Sequence, residues 1–457
     1  MDNKQATLEL GTKPVGKLLA QYALPAIVAM TASSLYNMID SIFIGQGVGP
    51  LAISGLAITF PLMNLSAAFG AAVGIGSSTC ISVKLGQKDY KMAENIFGNS
   101  FTLNLIVGVA FGLVTLLMLD PILYFFGASE NTIPYARDYM LVILAGNVVS
   151  QTFLGMNAVL RAASKPRQAM AATVLTVVLN IVLAPIFIWP LGMGIQGAAL
   201  ATILSQLVAL LWQIKLFSNQ DEILHFQRGI YKLKGAIVKN IASIGMSPFA
   251  MNVCACVVVI FINAGLSRYG GDLAVGAYGI ASKVSFIFVM VTIGLNQGML
   301  PIAGYNYGAQ RFDRLMKVLK YAMVTATIIT SVGFVIAEFF PYQCARLFTT
   351  DRTLIDLAIE GIRIHMLAFP IVGSQMVITN FFQCIGKAKI SIFLSLSRQM
   401  LFLLPLLLFL PPIMKVDGVW TAMPVSDSIA AIVAYVMMAK YMRKFKSQMQ
   451  AGNVIEN

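Results

Sequence analysis

Asp40 is an acid set inside an apolar run, YALPAIVAMTASSLYNMIDSIFIG, which covers residues 22–45. A carboxylate in a membrane span costs about 2.5–3.5 kcal/mol on insertion scales unless water, a cation or a proton attends it. Such a group is suited to alternating between a protonated and a charged state. It lies four residues from the end of an apolar run spanning 18–44, about 6 Å at a rise of about 1.5 Å per residue. A carboxylate reaching the outer headgroups is the plain alternative. Two facts weigh against it: Asp is too short to snorkel far, and an anion near a helix C-terminus meets the negative end of the dipole. On the same helix face, Tyr36 at i−4 is placed to donate a hydrogen bond to it, and Asn37 at i−3 offers a second neutral partner.

Other polar groups sit at comparable depth. Asn180, in TVVLNIVLAPIFI, and Thr202 are neutral oxygen donors that suit a hard cation or a hydrogen-bonded proton site. For these two residues alone, ordinary interhelical hydrogen bonding fits as well as function. Asn147 and Gln151, one turn apart, either line the same cavity or act as helix-packing glue. In the second half of the chain, Lys283 and Asp427 are expected at equal depth, with Arg398 approaching from a neighbouring span. That network reads as a gate, a second protonation site or a structural lock, since a buried ion pair is not by itself stabilising. Gly70, Gly74 and Gly76 are spaced for close helix contact. The sequence implies no cofactor. Cys80, Cys254, Cys256 and Cys384 fall in or beside spans and read as structural, and His225 and His365 make no metal-ligand pattern, with neither placed at mid-membrane.

The surroundings that position these groups are apolar helices. Of 457 residues, 58% are hydrophobic and 11% charged, and the mean hydropathy is +0.79. A soluble chain of this size needs far more polar surface, so the chain is read as an integral membrane protein in contact with the lipid bilayer. The apolar runs are about 20 residues long and continuous, which favours helices over barrel strands. They fall near 18–44, 53–83, 96–119, 137–158, 168–189 and 193–216, then near 239–266, 274–303, 317–340, 361–384, 390–411 and 418–440. The polar N-terminal stretch carries no cleavage pattern, so the first run reads as an uncleaved span. Of the 32 Lys and Arg, 24 fall in the termini and alternate connections on one side and six on the other. The net charge of +13 therefore reports orientation, with both termini cytoplasmic, rather than nucleic-acid binding.

The halves repeat. GPLAISGLAI at residue 49 aligns with GDLAVGAYGI at 271, Gly76 with Gly298, and RAASKPR at 161 with QCIGKAK at 383, all at an offset of 222. Six spans per half give a parallel repeat, an arrangement transporters often have. The expected architecture is all-α: twelve transmembrane helices in two pseudo-two-fold related six-helix lobes. Residues 1–216 form an N-lobe, 217–238 a cytoplasmic connector and 239–457 a C-lobe. The matching segment of the second half carries Asn263, 223 residues on from Asp40, so the acid is not duplicated.

IDSIFIG followed by GPLAISGLA, the loop SVKLGQKD, LRAASKPR, AYGIASKV and LPIAGYNYGAQR together resemble the multidrug and toxic compound extrusion transporters over roughly residues 15–445. The resemblance implies a V-shaped pair of six-helix lobes with a central cleft. It also implies export of amphipathic, often cationic drugs in exchange for Na⁺ or H⁺. The chain is most similar to the branch with an acid in the first N-lobe span, the position of Asp40. The family's LNxxLDPxF pattern departs here, with Ala184 in place of its Asp. A Na⁺ at Asp40, Asn180 and Thr202 would then be weakly held, which favours H⁺. A monomer in the plasma (inner) membrane is expected, with small-molecule substrates and no nucleic acid. The alternative is a flippase or exporter of a lipid-linked or other endogenous metabolite. A flippase calls for several cavity cations, and the N-lobe sequence offers none. An intramembrane enzyme lacks a matched set of acids or histidines.

Overall fold

Apolar helical runs punctuated by Gly and Pro dictate the outline. The computed structural model describes residues 3–455, and all regular structure among them is helical. The first set comprises α1 (Asn3–Thr12), α2 (Val15–Gly47), α3 (Pro50–Gly86), α4 (Tyr90–Leu117) and α5 (Leu119–Phe125). It continues through α6 (Ile133–Ala145), α7 (Asn147–Ala162), α8 (Pro166–Ile188) and α9 (Gly194–Phe217). The second begins with α10 (Gly235–Gly271), α11 (Leu273–Gly308), α12 (Phe312–Phe339), α13 (Pro341–Arg346) and α14 (Arg352–His365). It ends with α15 (Phe369–Cys384), α16 (Ala388–Met414) and α17 (Val416–Ile455). Among the described residues, ten helices are long and apolar enough to cross a membrane, and α6 with α7 makes an eleventh passage bent by 56°. By the repeat, α14 with α15 is the counterpart of α6 with α7 and completes twelve.

Those two passages correct the continuous spans expected at 137–158 and 361–384. The first breaks at Gly146, where a Cβ would stand 2.5 Å from the Ile203 side chain. The second breaks after His365, just before a helix whose first turn holds Pro370, a residue that restricts the backbone ahead of it.

The repeat is written into the backbone as well as the sequence. Lys88 and Gln310 have φ of 61° and 57°, Ser164 and Gly386 65° and 73°, and Gly49 and Gly271 119° and 69°. Each pair is 222 residues apart. At the first two pairs the left-handed residue closes a helix, and the next amide reaches back five residues in the same way each time. Asp89 N donates to Lys84 O, Lys165 N to Leu160 O, Arg311 N to Asn306 O and Lys387 N to Phe382 O, at 2.8–3.0 Å.

The chain divides into two compact units, but not where the repeat divides. The first contains α1 and Val28–Phe249; the second contains Lys13–Ile27 and the chain from Ala250 onward. The first half of α10 therefore belongs with the first six passages, and the first half of α2 with the last six. Glycines make both exchanges close. In the first unit a Cβ at Gly245 would lie 2.0 Å from Ala72 O, and one at Gly76 2.3 Å from Ile241 O. In the second a Cβ at Gly298 would lie 2.5 Å from Ala23 Cα, and one at Gly294 2.7 Å from Ile27 Cα. Gly74 meets Gly155 and Gly70 meets Gln151, so the glycines of α3 serve packing.

Residues 218–234 fold onto the first unit. Asn99 Nδ2 donates to Ile230 O and Lys232 O at 3.2 and 3.1 Å, and Asn99 Oδ1 accepts from Lys234 N at 2.8 Å. The rings of Phe97, Phe217 and Phe226 cluster there, and Lys165 pairs with Glu222.

Because the clash at Gly245 is with backbone, Gly245→Val is expected to destabilise by about 1–3 kcal/mol, whereas Gly279→Ala enters open space. Thermal unfolding of the detergent-purified protein should show a clear loss for the first and none for the second.

Candidate functional site

Within the first unit, Asp40 and Tyr36 project from α2, Asn180 from α8, Thr202 from α9 and Tyr139 from α6. The helix that carries Asp40 runs on to Gly47, so the acid lies seven residues from its end, about 10 Å at a rise of about 1.5 Å per residue. That is deeper than the apolar run implied. Asp40 is 5% exposed, and its Oδ1 is buried with no hydrogen-bond partner. An apolar cluster including Ile44, Leu62, Ile143 and Ile203 packs on this part of the unit.

The sequence brought Tyr36 to Asp40 as a donor; the structure sends it elsewhere. The Tyr36 hydroxyl lies 2.8 Å from Thr202 Oγ1 and accepts from Asn180 Nδ2 at 3.4 Å. Side chains on a helix lean toward its N-terminus, so a long ring at i−4 carries its hydroxyl away from the residue one turn later. Asp40 remains in electrostatic reach of both Tyr36 and Tyr139.

Thr202 is the hub of a closed triad. Its Oγ1 accepts from Asn180 Nδ2 at 2.9 Å and donates to Ala198 O at 3.2 Å. With Tyr36 added, both lone pairs and the proton of that hydroxyl are engaged. Tyr36, Asn180 and Thr202 are thus brought together, with Asp40 one turn beyond Tyr36 on α2 and its Oδ1 without a partner. Ala184, where the family pattern has an acid, is fully buried on α8.

Asn147 and Gln151 are each 1% exposed. Asn147 Nδ2 donates to Gly108 O at 2.9 Å and its Oδ1 accepts from Ser66 Oγ at 2.7 Å, while Gln151 Nε2 donates to Ser66 O at 2.7 Å. In this conformation both tie helices together. Asn37 is exposed on α2.

The second unit has its own polar centre. Arg398 Nε donates to Asp427 Oδ1 at 2.7 Å. Arg398 sits in a π-helical stretch, Ser397–Leu403, a widened turn that frees backbone groups. Ser426 Oγ supplies a donor to Arg398 O at 2.8 Å. Lys283 does not join, contrary to the expected pairing with Asp427. It is exposed and lies over the Phe348 ring, 5.7 Å from its centre. Lys283 shares the exposed face of α11 with Phe286 and Ile287, while Ser285, two positions on, points inward.

His365, which the sequence places inside the 361–384 run but not at mid-membrane, ends α14 at the break, half-buried, with partners on α11 and α17. Its Nε2 is 3.2 Å from Ser285 Oγ and its Nδ1 2.9 Å from Met423 Sδ. Both Asp427 and Arg398 act on it electrostatically. The sequence signal was present in Pro370 and the strongly amphipathic α14, which together mark a broken span.

Sequence comparison decides the family. The MatE profile matches residues 25–186 and 246–409, one block in each half. The chain belongs to the MatE family, the multidrug and toxic compound extrusion transporters. It is 27% identical over 440 residues to the multidrug export protein MepA of Staphylococcus haemolyticus, covering 96% of each chain. It is 25% identical over 443 residues to MepA of Staphylococcus aureus, covering 97% of each. An outward-facing structure of a multidrug resistance MATE family transporter superposes with a TM-score of 0.90 at 26% identity, over 96% of this chain and 98% of that one. The family is one of transporters, and the twelve-passage, two-lobe architecture is its fold.

Because the Tyr36–Thr202 hydrogen bond joins separate helices, Tyr36→Phe and Thr202→Val should be coupled. A double-mutant cycle on the unfolding of the purified protein is expected to give about 0.6 kcal/mol, the average for such bonds in a membrane protein, and no more than about 1.7 kcal/mol. Additive effects would show that the hydroxyls act separately.

Proposed function

We propose that this transporter exports amphipathic, often cationic drugs from the cytoplasm in exchange for protons, by alternating access, with Asp40 as the proton carrier. The observation that carries this reading is the pairing of opposites around Asp40. Its Oδ1 is buried without a partner, while the Thr202 hydroxyl is fully engaged with Tyr36, Asn180 and Ala198. A proton removes the charge of a buried carboxylate with no other rearrangement. A Na⁺ needs oxygen lone pairs around it, and those of Thr202 already accept from Asn180 and Tyr36. Binding the metal at Asp40, Asn180 and Thr202 would require that triad to open.

Drug export is supported by similarity to the MepA multidrug export proteins over nearly the whole chain. Orientation rests on the distribution of basic residues, 24 of 32 at the termini and the connections on their side, which favours cytoplasmic termini in the plasma membrane. Export then runs from the basic side, and protons enter from the other. A monomer suffices for the scheme, since both lobes lie on one chain.

Expression in a bacterium stripped of its own efflux pumps should raise tolerance to cationic dyes. Asp40→Asn, which keeps the shape and removes the titration, is expected to abolish that gain at unchanged membrane abundance. Undiminished tolerance in the variant would sink the coupling role. In everted vesicles an imposed proton gradient should drive dye movement, and a Na⁺ gradient should not replace it. The reverse result would assign the site to Na⁺.

A further inference from the structure

A guanidinium and a carboxylate meet inside the second unit, each with only part of its bonding capacity in use. Arg398 lies ten residues into α16 and Asp427 eleven into α17, about 15 Å from the helix starts at a rise of about 1.5 Å per residue. Lys387 and Lys389 flank the first start, and Lys415 and Asp417 the second. Against a hydrocarbon core about 30 Å thick, both side chains stand near mid-depth.

Arg398 donates to Asp427 Oδ1 through Nε alone, at 2.7 Å. A guanidinium has five N–H groups, and the four on its two Nη atoms form the fork that grips carboxylates. Among the described residues that fork bonds nothing, and neither does Asp427 Oδ2. None of these atoms is among the buried ones left without a partner. The Arg398 side chain is 30% exposed and that of Asp427 12%, so the unused atoms reach the surface of the unit. The backbone holds them there. Arg398 sits on the π-helical turn Ser397–Leu403, and its carbonyl accepts from Ser426 Oγ at 2.8 Å. Ser426 adjoins Asp427, so the contact that anchors the turn also sets the two charges side by side. The duplication did not supply the cation: Thr176, 222 residues before Arg398, turns its hydroxyl back on Ala172 O.

A partly exposed charge at mid-depth faces water or a ligand rather than lipid tails. We propose that Arg398 and Asp427 form a binding site for a zwitterionic amphiphile, its carboxylate on the Arg398 fork and its cationic group beside Asp427 Oδ2. A pure cation meets repulsion from the guanidinium, and a pure anion from the carboxylate. A molecule carrying both signs finds its complement at each. Lipid headgroups also carry both signs, but they lie about 15 Å away at the membrane surface. The ligand is therefore a small amphiphile that enters the protein. As a cargo site this rests on the export reading above; as a binding site it does not.

Rhodamine B, with a free carboxylate beside a cationic ring system, and its ethyl ester, a pure cation, test the charge requirement. Fluorescence anisotropy reads the binding of each to the full-length protein in lipid nanodiscs, against empty nanodiscs. The parent protein should prefer the acid, and Arg398→Gln should lower that preference about tenfold, the loss of a charge-assisted contact. Because this variant strips Asp427 of its counter-charge, Arg398→Lys is the second test: it keeps the charge and loses the fork. The preference should fall there too, a change that a merely structural pair would not produce. A parent protein that does not discriminate acid from ester, or variants that weaken both alike, would overturn the site. Everted vesicles separate this proposal from the export reading. Selective binding without movement of either dye would refute export and keep the site, whereas export of the ester with unselective binding would refute the site and keep export.

Discussion

Hydrocarbon offers a polar group no partner, and every feature of this protein answers to that. The backbone satisfies itself by forming helices. Hydroxyls inside the helices mostly turn back on the preceding turn, as Thr152 does to Val148 O, Thr176 to Ala172 O and Ser205 to Ala201 O. Amides bridge helices instead, Asn147 to Gly108 and Asn157 to Ala169. Some buried atoms escape this rule: Gln151 Oε1, Asn104 Oδ1 and both polar side-chain atoms of Gln213 have no partner. Asp40 differs from these because the buried atom without a partner, its Oδ1, belongs to an ionisable carboxyl.

The two units differ in how they hold a charge. Around Asp40 the neighbours Tyr36, Tyr139, Asn180 and Thr202 are neutral. In the second unit a carboxylate and a guanidinium, Asp427 and Arg398, are paired. Duplication repeated the helices, but the second half carries Asn263 in the segment that matches Asp40. The units are alike in backbone and unlike in chemistry.

Much of this was legible in the residues. Periodic apolar runs, basic connections and the 222-residue repeat carry the helix count, and the repeat reappears in paired left-handed residues such as Lys88 and Gln310. Asp40, Asn180 and Thr202 were recognisable because polar atoms are rare in such runs. Partner choice was not legible. Tyr36 lies one turn from Asp40 yet bonds Thr202, because rotamer direction and the approach of α8 and α9 decide where a hydroxyl ends. Lys283 and Asp427 matched in depth but not in facing direction, which linear spacing across separate helices does not encode. His365 was hidden because its passage reads as one continuous apolar span until the break before Pro370 is seen.

The exchanged half-helices bear on how such a molecule can arise. Each six-passage half keeps a glycine-lined bed, Gly76 in one and Gly298 in the other, filled by a half-helix from the opposite half of the chain. A single ancestral half would leave its bed empty and the leading half of its own first helix unplaced. Two copies would satisfy each other by reciprocal swapping, which is a closed and symmetric solution. Fusion of those copies into one chain would then fix a partnership that swapping had already made obligatory, and it would free each copy to change its chemistry alone.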